Sequence, residues 1–350
     1  MRLGMQIKEV AERLNTTART IRFYEEKGLI TPKKDTVNDY RYFSEKDLVR
    51  LSTILALREV GVRVDEIKEL LDHPTISIPE YLNIQRSVLY EKWIEMRDMI
   101  ETIDDMVKET TSDSVLPENF YDLAHHLSNL KRIRKSWKDR WNFDGQATHY
   151  DENIKRQGHR FNVHEGYDTV LEKIKNKINL NLGDTCLDIG IGTGNLGAKF
   201  LPLGVKVIGV DQSEKMLITC KEKHPEIETR KGHFLALPIL DHSVEAVVSS
   251  YALHHLPDDQ KLIALEEMTR VLKSGGQICI GDLMFKNQLH REQVLSSFRE
   301  AENQLAIDCI EDEFYADQSL LVEWLSYHGF QVEKQQINDI LGFVYARLIN

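Results

Sequence analysis

Apolar positions recur at helical spacing from the start of the chain. Ile7, Val10, Ala11 and Leu14 form one set, Ile21 and Tyr24 a second, and Asn15-Thr16 breaks the run. The spacing predicts two short helices, with Thr17 suited to cap the second and Gly28 to end it. Two helices joined by a tight turn are a helix-turn-helix candidate. "DTVNDYRYF" follows, with a turn signal at Asn38-Asp39 and alternating aromatic residues, and predicts a small hairpin or wing. Two more helices are expected near 44–59 and 64–72, separated at Gly61. A long helix is expected from Glu80 to about Thr110. Along it Leu82, Leu89, Met96 and Ile103 stand seven apart, flanked by Trp93, Ile100 and Val107. A stripe held over more than three heptads predicts a coiled coil, the alternative being a core helix of a monomer. Residues 111–145 read as a linker region.

From residue 146 the pattern changes to alternating strands and helices. Strands are expected near 184–189, 205–210, 226–231, 244–249 and 276–282, with two late ones near 330–337 and 340–347. Alternation of this kind predicts a mostly parallel, doubly wound α/β sheet of Rossmann type with an antiparallel last strand. The fold class is thus multidomain: a winged helix-turn-helix over 1–75, a coiled-coil dimerisation helix over 76–112, a linker over 113–139 and an α/β domain over 140–350.

Composition narrows the picture. No run of 18 apolar residues predicts a membrane span, and the charged start has no signal-peptide core. The four cysteines, Cys186, Cys220, Cys279 and Cys309, form no C-x-x-C pair, which fits a reducing cytoplasm and offers neither a disulfide framework nor a metal site. The net charge is −11, yet residues 1–75 carry 14 Lys and Arg against 13 Asp and Glu, so a basic face on the first segment is compatible with the acidic total.

"TARTIRFYEEKGLI", "NDYRYFSEKDLVRL" and "LREVGVRVDEIKELL" make residues 6–75 resemble the MerR family of transcription regulators. The resemblance implies promoter DNA as partner and a homodimer joined through the long helix. It puts Thr17, Arg19, Thr20 and Arg22 on the recognition helix, Tyr24 near the DNA backbone and Arg41 on the wing. Arginine binds phosphate or guanine, so which of these reads sequence stays open. Relatives that sense metals do so through cysteines near that helix, and this chain has none before Cys186. "KRIRKSWKDRW" gathers Lys131, Arg132, Arg134, Lys135, Lys138 and Arg140 around Trp137 and Trp141. Such a segment can stack on bases, but a solvated helix is the stronger reading.

"CLDIGIGTG" raises the question of what its glycines hold. Gly192, Gly194 and Gly197 match G-x-G-x-x-G, which by itself is weak evidence for a dinucleotide. Asp188, at the end of a strand, would repel a pyrophosphate and attract a cation. S-adenosylmethionine carries both an ammonium and a sulfonium. Asp211, about 20 residues on, can accept two ribose hydroxyls. "LDIGIGTGNLG", "VIGVDQSEKML", "VEAVVSSYALHHL" and "VLKSGGQICIGDL" resemble, in order, the motifs of class I S-adenosylmethionine-dependent methyltransferases. The resemblance implies Gly190, Gly192 and Gly194 as the cofactor loop, Asp188 toward the methionine amine, Asp211 on the ribose and Met216 at the adenine. His233 stands where the family has an acid, so His233 or the Phe234 amide would meet the adenine. Ser250 and Tyr251 would border the methyl.

His254 and His255 are candidate catalytic bases beside Tyr251, or else packing at a helix start. Tyr150, Asp151 and His164 are a candidate lid. The chain lacks [DN]-P-P-[FY] after the fourth strand and has no Pro-Cys pair, which disfavours DNA methylation. The expected function is a promoter-binding regulator fused to a methyltransferase acting on a small molecule. The alternatives are a domain that only senses S-adenosylmethionine or a metabolite and, more weakly, an RNA or protein methyltransferase.

Overall fold

A computed structural model describes residues 4–34, 40–72, 77–110, 117–136, 141–155 and 161–349. The chain divides into two compact units, Met1–Leu82 and Asn83–Asn350.

In the first unit β1 (Met5–Gln6) leads into α1 (Ile7–Arg13) and α2 (Ala18–Glu26); β2 (Lys33–Lys34), β3 (Arg41–Phe43), α3 (Glu45–Glu59) and α4 (Val64–Asp72) follow. Thr17 caps α2 as its sequence suggests, Oγ1 accepting from the Thr20 amide at 3.0 Å. Ser44 and Asp47 form a capping box at α3. The wing strands β2 and β3 pair antiparallel, and β1 pairs with the other edge of β3. The expected turn at Asn38-Asp39 lies outside the described residues. Val10, Ile21, Leu29, Phe43, Leu51, Ile54 and Ile67 close a small core.

The long helix α5 (Ile78–Thr110) starts as expected. Its first turn packs on this core through Ile78 and Tyr81, whose hydroxyl donates to Glu66 Oε2 at 3.1 Å. From Asn83 the helix belongs with the second unit, so it is not a free-standing arm. Ser87, Ile94 and Asp98 are buried, while Leu89, Met96, Ile100, Ile103 and Val107 are all more than half exposed. The heptad stripe therefore faces outward, and the opposite, more polar face is the one that packs.

The expected linker contains a twenty-residue helix, α6 (Pro117–Ser136), followed by the short α7 (Phe143–Gln146) and α8 (Tyr150–Lys155). Lys138, Arg140 and Trp137 of the basic segment lie outside the described residues. Arg134, in its first half, is buried: its Nε donates to Asp98 Oδ2 at 3.0 Å, and its guanidinium also donates to the Leu235 carbonyl. Fully buried Glu267 forms an adjoining ion cluster with Arg97 and Arg270, at 3.3 and 2.7 Å, and accepts from the Leu237 amide at 3.0 Å. Sequence pattern hid both clusters, because a basic run on a helix reads as solvated surface.

The α/β sheet follows: α9 (Tyr167–Lys177), β4 (Thr185–Ile189), β5 (Lys206–Asp211), α10 (Glu214–Lys223), β6 (Glu228–Lys231), β7 (Val244–Ser250), α11 (Asp258–Val271) and β8 (Leu272–Phe285). The chain then adds α12 (Gln288–Glu300), α13 (Gln304–Glu311), β9 (Ala316–Asp317), α14 (Gln318–Tyr327), β10 (Phe330–Gln336) and β11 (Leu341–Leu348). The strand order is β10-β11-β8-β7-β4-β5-β6, with the short β9 paired to β8. β4 to β8 run parallel and β11 runs antiparallel to β8, as the alternation predicts. Apolar layers cover both faces, one around Ile189, Val247 and Ile280, the other around Leu171, Val207 and Cys279. Strand order reverses between β4 and β7, which opens a crevice at their carboxyl ends. Among the described residues no helix is long and apolar enough to cross a membrane.

Removing one partner of a buried ion pair leaves the other charge without compensation, at a cost of about 3–5 kcal/mol. Arg134→Ala is therefore expected to lower the stability of the second unit by roughly 3 kcal/mol, read as a fall in its chemical-denaturation midpoint in the full chain. A change within 0.5 kcal/mol, the range of ordinary surface substitutions, would put Arg134 in solvent.

Candidate functional site

One cavity occupies the crevice. Its floor is Ile189, Gly190 and Gly192; Val210, Asp211, Met216, Gly232, His233 and Phe234 form one wall. Tyr251, Ala252, His254, His255 and Glu313 form the other, and Trp141, Phe143, Gln146, Tyr150 and His164 overhang it. Residues assigned from sequence to the cofactor and residues assigned to chemistry thus share a single space. Ser250 and Gly194 are not among its lining residues.

The glycine loop is shaped by close approach. Gly190 has φ +71°, and a Cβ there would run into the Ala252 side chain. Gly194 has φ +93°, and its Cβ would sit 2.9 Å from Cys220 Sγ. Neither position tolerates a side chain without rearrangement. Asp211 Oδ2 accepts from the Gly192 amide at 2.9 Å and Oδ1 from the Ser213 amide at 2.9 Å, so the acid is held at the rim.

Asp188 sits differently from its expected position. It is 1 % exposed, lies beneath the loop, and does not line the cavity. Neither oxygen has a hydrogen-bond partner of good geometry. Burial, with Asp211 adding to it, pushes its pKa well above the carboxylate range, against a smaller opposing pull from the Gly197 amide. A cation bound above the loop would favour its ionised form.

In the wall expected to meet the adenine, Met216 and Phe234 are buried. His233 is held neutral, its pKa pulled down to about 4 by burial, and its Nδ1 accepts from the Leu235 amide at 3.2 Å. The ring thus braces its own loop. The same stretch is bonded to α5: Asn83 reaches the Thr229 carbonyl at 3.3 Å and Glu91 lies 3.9 Å from His233 Nε2.

The opposite wall is more ordered than its sequence suggests. Tyr251 has φ +49°, a left-handed conformation costly for a bulky residue, and its buried hydroxyl has no partner. His254 Nδ1–H donates to Asp282 Oδ1 at 2.5 Å, which leaves Nε2 facing Glu313 Oε2 at 3.6 Å. Burial alone would lower the His254 pKa, but Asp282, and less strongly Glu313, hold it above the ordinary value. His255 is pushed well down by burial and by His254, so it is neutral. Its ring packs against Trp141 and Phe143, with centroids 4.4 and 5.0 Å away. Burial raises the Glu313 pKa, and His254 opposes this.

Asp282 and Glu313 escaped the sequence reading. An acid inside the apolar run "CIGDLMF" was the available signal for Asp282; nothing local marks Glu313. The expected lid is tied down at Asp151, which accepts from Thr193 Oγ1 at 2.6 Å and Asn195 Nδ2 at 3.0 Å and pairs with Lys223 at 2.6 Å. Burial would raise its pKa, but these partners hold it below the usual range.

In the first unit Thr17, Arg19 and Arg22 are exposed and Thr20 is half-buried. Tyr24 is a core residue, 5 % exposed, and its body packs rather than projects. Arg41 Nε donates to Glu25 Oε2 at 2.6 Å. Among the described residues the expected DNA face is thus clearest at the N-terminus of α2.

A carboxyl whose pKa is higher folded than unfolded binds more protons when folded, so stability falls as pH rises through the unfolded value. Asp188→Asn is expected to flatten the decline in stability above about pH 4, where free aspartate ionises. It should also weaken S-adenosylmethionine binding about tenfold, a loss of roughly 1.4 kcal/mol. Denaturation across pH and calorimetry on the same variant check both.

Residues 5–74 match the MerR HTH family of regulatory proteins, and residues 186–276 match the methyltransferase domain family. An uncharacterized methyltransferase of Anoxybacillus flavithermus is 31% identical over 208 residues, 58% of this chain and 95% of that protein. One of Bacillus cereus is 32% identical over 207 residues, again 58% and 95%. Among solved structures, magnesium protoporphyrin IX methyltransferase of Synechocystis PCC 6803 with bound SAH aligns at a TM-score of 0.47, with 14% identity, over 59% of this chain and 96% of that one. The chain belongs to the class I S-adenosylmethionine-dependent methyltransferase family and carries a MerR-type helix-turn-helix domain at its N-terminus.

Proposed function

We propose that the protein is a dimeric promoter-binding regulator whose second unit transfers a methyl group from S-adenosylmethionine to a small molecule. The observation that carries this reading is the shared cavity, in which Gly190, Gly192, Asp211 and His233 face Tyr251, His254 and His255. The cofactor supplies an activated methyl; the protein aligns the acceptor and excludes water. The glycine loop, Asp211, Met216, His233 and Phe234 hold the cofactor, with Asp188 supplying negative potential from beneath. Tyr251, His254 and His255 meet the acceptor. The overhang of Trp141, Phe143 and Tyr150 suits a small acceptor better than a macromolecule. Arg134, buried in an ion pair, is withdrawn from the basic segment that an RNA or protein substrate would need.

The DNA-facing residues are Thr17, Arg19, Thr20 and Arg22, with Arg41 on the wing. The outward stripe of α5 is the dimer contact. Cofactor occupancy biases DNA binding through α5, because the helix that starts on the first unit's core is bonded to the strand and loop beside the adenine wall.

Labelled methyl of S-adenosylmethionine, incubated with the protein and a metabolite extract, should appear in a new small molecule and be lost with Asp211→Ala. Label retained only as intact cofactor on the protein would leave a sensor. Met96→Glu with Ile103→Glu should convert the dimer to a monomer by sedimentation and weaken promoter binding, with cofactor affinity unchanged. A double variant that remains dimeric would place the subunit contact elsewhere.

A further inference from the structure

Three donors on the acceptor wall converge. One ligand atom each from His254, His255 and Glu313 lies within 4.8 Å of the other two. They come from separate stretches, one after β7 and one between α13 and β9, and those stretches are stitched together. The Phe314 amide donates to the His254 carbonyl at 3.0 Å. Fully buried Lys261 donates to the carbonyls of Leu256 and Phe314 at 2.6 and 2.7 Å. The donors are therefore prepositioned and do not depend on a mobile loop.

The orientation of His254 matches what a metal ligand needs. Its Nδ1–H is fixed on Asp282, so Nε2 is the free atom and it points to Glu313. Metal-bound histidines almost always give their other nitrogen to a carboxylate or carbonyl, which fixes tautomer and ring orientation. Asp282 is itself immobile, accepting from the amides of Ala252, Leu253 and Leu283 at 3.0, 2.6 and 2.6 Å. The buried Nδ1 of His255 has no hydrogen-bond partner, as expected of a donor without its acceptor. Two imidazoles and one carboxylate suit a first-row divalent transition ion and leave further positions open to a ligand.

We propose that His254, His255 and Glu313 bind one divalent transition-metal ion, and that the ion holds the methyl acceptor through an oxygen or sulfur that ionises on binding. This rests on the methyl-transfer reading of the same cavity and names its acceptor class: a hydroxyl or thiol compound that can ligate the ion as its conjugate base. A bound cation stabilises that base, so the acceptor's proton leaves to solvent. The acceptor's lone pair forms the new bond to the methyl carbon, the carbon–sulfur bond breaks, and its electron pair returns to the sulfonium as a neutral thioether. No oxidant or reductant is needed.

The test uses the full chain stripped with a chelator. S-adenosylmethionine affinity is measured first by calorimetry, and a failure there sinks the methyl-transfer reading on which the acceptor assignment rests. Cobalt(II) is then titrated alone and followed by its visible absorption, with zinc(II) as competitor. The expected result is one ion per chain, displaced by zinc, with affinity reduced at least about tenfold in His255→Ala and in Glu313→Gln. Unchanged cofactor affinity in Glu313→Gln shows that the cavity is intact. No cobalt binding by a chain that binds the cofactor overturns the proposal and leaves the histidine–carboxylate cluster as a proton carrier. Cobalt binding that both variants leave unchanged overturns it equally, since the ion then sits elsewhere.

Discussion

Asp282 is the fixed point of the second unit. Its carboxylate lies at the carboxyl end of β8 and accepts from three backbone amides and from His254 Nδ1. Two of those amides belong to the turn that leaves β7. A fully satisfied buried carboxylate of this kind costs little, whereas the same group with a missing partner would be expensive. The turn after β7 is therefore held, and with it the left-handed Tyr251, the orientation of His254 and the Ala252 side chain that forbids anything but glycine at position 190. One acid sets one wall of the cavity and limits the glycine loop opposite it.

The contrast with Asp188 is informative. Both acids are buried near strand ends in the same sheet, yet Asp282 is surrounded by donors and Asp188 has none of good geometry. The first is a structural anchor whose demands are met within the chain. The second keeps its hydrogen-bonding demand unmet within the chain. The difference separates a carboxylate that builds the cavity wall from one that the chain leaves unsatisfied.

Much of this was legible in the amino-acid sequence because it is periodic or local. Strand and helix alternation announces the doubly wound sheet, and the apolar spacing from Ile7 to Leu70 announces the small helical unit. The motif from Leu187 to Gly194 announces the tight glycine loop after β4, since glycine positions follow from local backbone demands. Long-range partnerships were not legible. Glu313 reaches His254 across 59 positions, and Arg134 reaches Leu235 across 101. Neither leaves a pattern in its own neighbourhood. Tyr24 was legible in part: its helical spacing with Ile21 places the ring in the core, where it lies.

The long helix shows how packing can invert the usual assignment of a helix's faces. An apolar stripe usually marks the buried face of a helix in a single subunit. In α5 the buried face carries Ser87 and Asp98, and the attachments are Asn83 to Thr229 and Asp98 to Arg134. Polar attachments are directional, so they fix the helix in register against β6 and α6. Apolar contacts are less particular about register, and they are what remains on the outside. The arrangement gives the inner face to position-sensitive contact with the second unit and leaves the apolar stripe exposed on the outer face. The ion pairs at Asp98 and Glu267 reinforce that register, because breaking either leaves a buried charge unpaired.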